Sequence, residues 1–169
     1  MNIKNYKSLK KNKANFEPLT PVDFLKRAAK VFPNYISVIS ENKKFTWKQT
    51  FERCCQLATA LTKYNIKNGD VVSIMAPNTS AMYEAHFGIP MIGAILNTIN
   101  IRLDAKTISY IIGHSKTRIL FVDTEFLPII REALKLKNYK IPIIAIKDDK
   151  RFSHNIHKES LYENFLKKF

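Results

Sequence analysis

The feature that most limits the fold of this chain is an alternation, from residue 71 onward, of short apolar segments with longer amphipathic ones. Residues 71–75, 94–97, 118–122 and 141–146 have the length of strands and are rich in Val, Ile, Leu and Phe. The segments between them have the apolar spacing of helices. Strands that are apolar at nearly every position are typical of a parallel sheet buried on both faces. The sequence therefore predicts an α/β fold: a largely parallel sheet with helices on both faces.

Capping residues predict where the helices begin. Thr20 precedes Pro21 and has Asp23 three positions on, and Thr46 precedes a second helix with Gln49 in the same relation. Asp104 and Asp123 are predicted to cap two later helices. The first helix is expected to bury one apolar stripe, made of Phe24, Leu25, Ala28, Ala29 and Phe32.

Three further elements are predicted from local patterns. Residues 35–40 and 44–46 are expected to form a short hairpin. Pro142 suits either the start of a strand or an edge strand, because proline cannot donate to a sheet. Residues 159–169 are expected to form a closing amphipathic helix on Leu161, Phe165 and Leu166.

The net charge of +14 has an uneven distribution that argues against a nucleic-acid partner. Residues 1–16, predicted to be a basic tail, carry five Lys and no acid, whereas residues 70–134 have a net charge of −1. Lys outnumbers Arg by 22 to 6, although base readout and stacking favour Arg. Residues 17–169 are predicted to form one domain, with 147–158 as its only plausible linker.

The sequence predicts neither a targeting segment nor a reactive cysteine. The longest apolar or small run, residues 88–96, is about half the roughly 20 residues that a membrane span needs, and residues 1–15 lack the apolar core of a secretory signal. No transmembrane segment is expected, and the cytoplasm is the predicted compartment. Cys54 and Cys55 are sequence neighbours and are interpreted as inert core thiols, because no adjacent base would activate them.

No nucleotide cradle or metal set is predicted. Gly88 and Gly93 have the spacing of a phosphate loop, but Ala94 and Ile95 occupy the positions of its Lys and Ser/Thr, so packing between elements explains these glycines. His154 and His157 have no Cys nearby to complete a metal site.

Four polar residues are left with two interpretations each. His86 lies among apolar residues and is either a core or interface histidine or the lining of a cleft. Asn97, Asn100 and Arg102 follow a predicted strand, where α/β proteins place ligand contacts, or they form a structural turn. His114 is interpreted as a cationic cap at a helix end.

Several stretches, taken in order, resemble one family. They are residues 75–78 (Met-Ala-Pro-Asn), 84–94 and 96–104, supported by 19–29, 45–47, 69–72, 114–115 and 121–123. Together they resemble the adenylate-forming acyl-CoA synthetases, the AMP-dependent synthetase/ligase family, and among them the short- and medium-chain enzymes. The resemblance implies that residues 17–169 are the first, incomplete part of the N-terminal domain of such an enzyme.

The resemblance also implies a chemistry. Family members join a fatty acid to CoA through an acyl-adenylate, using ATP and Mg²⁺ and releasing AMP and pyrophosphate. Their catalytic motifs are a Thr/Ser/Gly-rich loop ending in Pro-Lys-Gly, a Tyr-Gly-x-Thr-Glu motif, a ribose-binding Asp and a catalytic Lys, and no position here matches one. No catalytic, cofactor-binding or metal residue is therefore assigned, and the chain alone is expected to be inactive and to bind no cofactor.

Three functions remain open at this point. The chain is the N-terminal part of an acyl-CoA synthetase, a subunit of a split ligase completed by a second polypeptide, or a non-catalytic binding or scaffolding module that retains the fold. In the first two cases the expected partner is the remainder of the synthetase.

Overall fold

A computed structural model describes residues 10–12, 16, 19–40, 43–147 and 160–167. Most of the predicted basic tail and linker, with His154 and His157, lies outside these residues. The helices are α1 Pro21–Val31, α2 Trp47–Lys63, α3 Ser80–Gly88, α4 Ala105–Ser115, α5 Leu127–Leu136 and α6 Tyr162–Lys167. The strands are β1 Ile36–Ser40, β2 Lys43–Thr46, β3 Val71–Met75, β4 Ile95–Thr98, β5 Thr117–Asp123, β6 Ile143–Ile146 and β7 Ser160–Leu161.

The main sheet has five parallel strands in the order β4-β3-β5-β6-β7. One apolar core lies between this sheet and α2, α3 and α6, and a second lies between its other face and α4 and α5. The predicted α/β fold with helices on both faces is confirmed. Its physical basis is the central pair β3 and β5, whose residues are buried nearly without exception.

The predicted helix starts are largely confirmed. The Thr46 side chain accepts from the backbone N–H of Gln49 at 3.2 Å, and the Gln49 side chain returns the bond to the Thr46 N–H at 2.9 Å. The Asp104 carboxylate accepts from the Thr107 N–H at 2.9 Å. Asp123 instead caps a 3-10 turn, Thr124–Phe126, and α5 follows that turn.

The predicted hairpin is confirmed, and Pro142 has one of its two expected positions. Strands β1 and β2 pair antiparallel, outside the main sheet. Pro142 immediately precedes β6, and its carbonyl accepts from the Leu120 N–H at 3.0 Å. Because β7 pairs on the far side of β6, β6 is not an edge strand, and only the strand-start interpretation is right.

The closing helix is shorter than the predicted 159–169, and the helix after β3 is followed by a separate 3-10 turn. Residues 160 and 161 form β7, in which Leu161 lies opposite Ala145 of β6, so the closing helix begins only at Tyr162. The backbone pairing offered by β6 outweighs the amphipathic pattern there. Helix α3 ends at Gly88, and Pro90, which lacks an N–H, begins a separate 3-10 turn, Pro90–Ile92.

The apolar stripe predicted for α1 is only partly buried. Leu25 is buried, but Phe24 is 60% exposed and Phe32 is 50% exposed. A helix packed along one line buries positions on one side only, and Phe24 lies one residue, about 100°, away from Leu25. Helix α1 therefore presents apolar side chains to solvent.

Candidate functional site

A concave surface lies where β3 and β4 end. Strand β3 ends at Met75 and β4 ends at Thr98. Because the two strands are parallel, the chain leaves the sheet at the same edge after each of them. Crevices at this edge are where open parallel α/β sheets bind ligands. The cavity there has a volume of about 510 Å³. It is lined by Ala76, Pro77, Asn78, Met82, His86, Thr98, Ile99, Asn100 and Ile101.

A second cavity of about 410 Å³ adjoins the first across α3. It lies between α3 and the hairpin, and its lining is mainly apolar: Val38, Ile39, Met82, Tyr83 and Phe87, with Ser40, Asn78, Thr79 and His86. Asn78, Met82 and His86 line both cavities. Met82 and His86 are four residues apart on α3 and therefore lie on one side of the helix, and Asn78 precedes the helix. We call the two cavities together the α3 trough.

His86 lies in the α3 trough and is exposed. The core interpretation is therefore wrong, whereas an interface histidine and the lining of a cleft both stay predictions. Its Nδ1 is 2.8 Å from the Met82 carbonyl oxygen. Because a carbonyl can only accept, Nδ1 carries the hydrogen, and in the neutral ring Nε2 is left as an acceptor. Its neighbours in sequence are apolar, which hid the fact that position 86 faces away from the sheet.

Asn97, Asn100 and Arg102, at the end of β4 and just after it, do not form one cluster. Asn97 lies within β4 and donates to Ser73 Oγ at 2.9 Å, and Ser73 in turn bonds Thr117 at 2.6 Å. Asn97 therefore ties β4 to the sheet. The Asn100 side chain accepts from the Arg102 N–H at 2.9 Å, which is a structural turn. Asn100 also lines the trough, whereas the Arg102 side chain is exposed outside the two cavity linings.

An ionic cluster centred on the buried Glu84 joins three helices, and the sequence did not predict it. Arg53 of α2 binds Glu84 of α3 through Nε–Oε1 at 2.5 Å and Nη2–Oε2 at 3.2 Å. The same guanidinium binds Glu163 of α6 at 2.7 and 3.1 Å. Tyr162 donates its hydroxyl to Glu84 Oε2 at 2.8 Å. We call these four residues the Arg53 cluster.

The Arg53 cluster is suited to structure rather than to proton transfer. Glu84 is 2% exposed, and burial raises its pKa. The Arg53 guanidinium and the Tyr162 hydroxyl lower that pKa, but by less than burial raises it. Burial also raises the pKa of Glu163, but the Arg53 hydrogen bonds and charge outweigh it and lower that pKa overall. Burial and the neighbouring Glu84 hold the pKa of Tyr162 well above its ordinary value. A lone acid among the apolar residues of α3 was the one available signal.

The cysteines and glycines have structural roles. Cys54 is buried, and burial raises the pKa of its thiol to about 12, which confirms its interpretation as a core thiol. Cys55 is only half-buried, so its interpretation as a core thiol is wrong, although burial raises its pKa as well. A Cβ at Gly88 would lie 2.9 Å from the Cys54 carbonyl oxygen, so Gly88 lets α2 and α3 approach. Gly93 has φ +72°, which favours glycine on conformational grounds.

The part of the chain that the structure describes has neither a metal-binding cluster nor a membrane-spanning helix. Among those residues, no three His, Cys, Asp or Glu side chains come together as a possible metal site. Within the same ranges, each helix falls short of the length and apolar character that crossing a bilayer requires.

His114 lies in the last turn of α4 and stacks on Tyr110.

The parallel sheet with helices on both faces defines an α/β fold, and the α3 trough lies at the carboxyl edge of that sheet. Solved structures with this fold include an anthranilate CoA ligase bound to anthranoyl-AMP, at a TM-score of 0.78 and 23% identity, covering 87% of this chain and 27% of that one. A benzoate CoA ligase from Burkholderia xenovorans has a TM-score of 0.74 at 18% identity, and the match covers 86% of this chain and 28% of the benzoate CoA ligase chain. These likenesses show the fold.

Sequence similarity shows the family. Residues 25–165 match the AMP-binding enzyme family, and the chain belongs to it. A peroxisomal butyrate–CoA ligase of Arabidopsis thaliana is 50% identical over 160 residues, which is 92% of this chain and 28% of that protein. An acetate–CoA ligase of Humulus lupulus is 46% identical over 147 residues, 83% of this chain and 26% of its own. The chain thus spans about a quarter of these relatives.

Proposed function

We propose that this chain forms part of an ATP-dependent acyl-CoA synthetase acting on short- or medium-chain carboxylic acids. The observation that carries the proposal is the 50% identity to a butyrate–CoA ligase over 92% of the chain. The overall reaction joins an acid and CoA at the expense of ATP, through an acyl-adenylate, and yields acyl-CoA, AMP and pyrophosphate. The domain is proposed to begin at residue 17.

The contribution of these residues is to build one wall of the site. The α3 trough offers an apolar half between α3 and the hairpin and a more polar half at the carboxyl edge of the sheet. His86 is oriented by its hydrogen bond to the Met82 carbonyl, and Asn100 by the bond it accepts from the Arg102 N–H. His86 Nε2 and the Asn78 and Asn100 amides are the polar groups that such a substrate would meet.

The described residues do not fit the phosphates of ATP. Gly88 lies within α3 and packs against the α2 backbone, and the Gly93 N–H donates to the Pro90 carbonyl oxygen at 2.9 Å, so the two glycines do not form a phosphate loop. We therefore propose that a polypeptide of these 169 residues has no ligase activity by itself. ATP, Mg²⁺ and CoA are proposed for the assembled enzyme.

A chimera tests the proposal directly. Residues 25–165 replace the matching segment of the Arabidopsis butyrate–CoA ligase, and acyl-CoA formation is measured with butyrate, ATP, Mg²⁺ and CoA. We expect the chimera to retain activity and the 169-residue chain alone to release no pyrophosphate. A folded but inactive chimera would contradict the ligase proposal and favour a non-catalytic binding module.

Two further points of the proposal have their own tests. Restoration of activity when the remaining part of the ligase is supplied as a separate polypeptide would favour a split ligase. The proposed compartment is the cytoplasm, with the peroxisome as the alternative because the Arabidopsis relative is named as peroxisomal. Imaging of the tagged chain in its own cells distinguishes the two.

A further inference from the structure

A small cavity lies at the N-terminus of α3, beside the carboxyl end of β6. Its volume is about 180 Å³, which is room for about six waters at roughly 30 Å³ each. Helix α3, the end of β6, the start of α6 and strands β2 and β7 all contribute to its wall. We call it the Ser80 cavity, and it is lined by Lys43, Thr79, Ser80, Ala81, Ile146, Lys147, Leu161, Tyr162 and Glu163.

Two backbone N–H groups at this end of α3 have no partner within the helix. The first bond of the helix runs from the Tyr83 N–H to the Thr79 carbonyl oxygen at 3.1 Å, and the Thr79 hydroxyl accepts from the Met82 N–H at 3.4 Å. The N–H groups of Ser80 and Ala81 precede both of these donors and point out of the helix end. Together with the positive end of the helix dipole they favour an anion.

The Ser80 side chain is a second, independent indication of a ligand. Ser80 is 8% exposed, and its hydroxyl forms no hydrogen bond with the residues that the structure describes. Buried hydroxyls are nearly always bonded, because a polar group loses its bonds to water when it is buried. Since Ser80 lines the cavity, a molecule bound there can supply the missing partner.

The charges around the Ser80 cavity also favour an anion. Lys43 and Lys147 both line it. Glu163 lines it as well, but its carboxylate is bound by the Arg53 guanidinium at 2.7 and 3.1 Å. Arg53 is one cation between two carboxylates, Glu84 and Glu163, which leaves a single negative charge in excess. The two lysines and the helix end outweigh that charge.

We propose that the Ser80 cavity binds a phosphate group, at a site separate from the proposed ligase reaction. The N–H groups of Ser80 and Ala81 and the Ser80 hydroxyl would donate to its oxygens, and the two lysines would offset its charge. A phosphate group, with more charge and more acceptor oxygens than a carboxylate, matches three donors and two cations better. A phosphate loop surrounds a chain of phosphates with successive N–H groups, whereas here one helix end donates, which suits a single phosphate group.

Titration of the ¹⁵N-labelled 169-residue chain with inorganic phosphate, at constant ionic strength, tests the proposal. We expect the amide signals of Ser80 and Ala81 to shift and to reach saturation. Ser80→Ala keeps the Thr79 cap and introduces a good helix former, so the fold should be retained, and phosphate should bind at least about tenfold more weakly. Lys147→Gln should weaken binding by up to about fivefold.

The chain offers a matched control for each variant. The Ser109 hydroxyl is also buried and unbonded within the described part of the chain, but it lies in α4 and outside the Ser80 cavity. Lys140 is an exposed lysine near the opposite end of β6. Ser109→Ala and Lys140→Gln should therefore bind phosphate like the unaltered chain. No saturable shift, or equal losses in the variants and their controls, would overturn the proposal.

Two further probes identify the chemistry of the ligand. Butyrate, at the same ionic strength, should bind more weakly than phosphate, and equal binding would assign the cavity to a carboxylate and overturn the proposal. With AMP added to the isolated chain, tighter binding than that of inorganic phosphate would identify a phosphate monoester as the ligand. Weaker binding of AMP would identify the free ion.

The chimera with the Arabidopsis ligase distinguishes a phosphate group from an acidic side chain of the rest of the enzyme. Phosphate should raise the melting temperature of the chimera relative to chloride at equal ionic strength, and Ser80→Ala should abolish that rise. Binding to the isolated chain but not to the folded chimera would show that the rest of the ligase fills the cavity, and would overturn the proposal.

Discussion

Removal of the Arg53 guanidinium should destabilise the fold more than any other loss of a single charge on α2. Arg53 satisfies the carboxylate of Glu84, which is 2% exposed, and also binds Glu163. Arg53→Met keeps most of the side-chain volume but leaves Glu84 buried and deprived of its cation. Breaking a buried pair from one side costs about 3–5 kcal/mol. That is a large part of the roughly 5–15 kcal/mol that stabilises a typical domain.

Urea unfolding at neutral pH, followed by circular dichroism, measures this cost. For an m-value of about 2 kcal/mol/M, the midpoint should fall by about 2 M. Lys48→Met is the matched control, since it removes a positive charge from the same helix. Lys48 is an exposed residue 4.0 Å from Glu52, and a pair of this kind contributes about 0–1 kcal/mol. Its midpoint should therefore change little.

Two further measurements separate an uncompensated charge from simple loss of packing. Glu84→Gln, added to Arg53→Met, should recover part of the lost free energy because the buried group is then neutral. In Arg53→Met alone the pKa of Glu84 rises further, so the folded state holds its proton more tightly than the unfolded chain. The penalty is then present above the folded pKa and disappears as pH falls below the ordinary value of 4.5. A cost for Arg53→Met no larger than that for Lys48→Met at neutral pH would refute the reasoning.

Features set by neighbours along the chain were predictable from the sequence. The Thr46 cap and the buried strand β3 depend on residues within a few positions, and both are where the sequence places them. The parallel sheet followed because apolar strands of this kind need cover on both faces.

Features set by distant residues were missed. Arg53 meets Glu84 across 31 positions and Glu163 across 110, and no local pattern pairs them. The pairing of β7 with β6 is nonlocal as well, which is why Leu161 was assigned to a helix. His86 shows a third cause: periodicity indicates that a helix has an apolar side, but the sheet and α2 decide which side is covered. The core, interface and cleft interpretations of His86 could all be formulated from the sequence, but the sequence could not exclude the core interpretation.

The remaining predictions concern packing, thiol reactivity and pH. Gly88→Ala should cost about 1–3 kcal/mol in urea unfolding, because its Cβ would meet the Cys54 backbone; in the control Gly113→Ala the contact is the movable Tyr139 hydroxyl, and equal costs would contradict this. A thiol reagent at mildly alkaline pH should label Cys55 before Cys54, whose pKa burial raises to about 12, and equal rates in the folded chain would count against it. Burial raises the pKa of Glu163, but the Arg53 hydrogen bond and charge outweigh burial and lower that pKa overall. The stabilisation that the Arg53–Glu163 contact provides is therefore complete above the ordinary pKa of 4.5 and is lost as pH falls through the pKa of the folded state. Glu163→Gln should therefore lower stability at neutral pH and flatten its acid dependence, and an unchanged pH profile would show that the Arg53–Glu163 contact does not stabilise the fold.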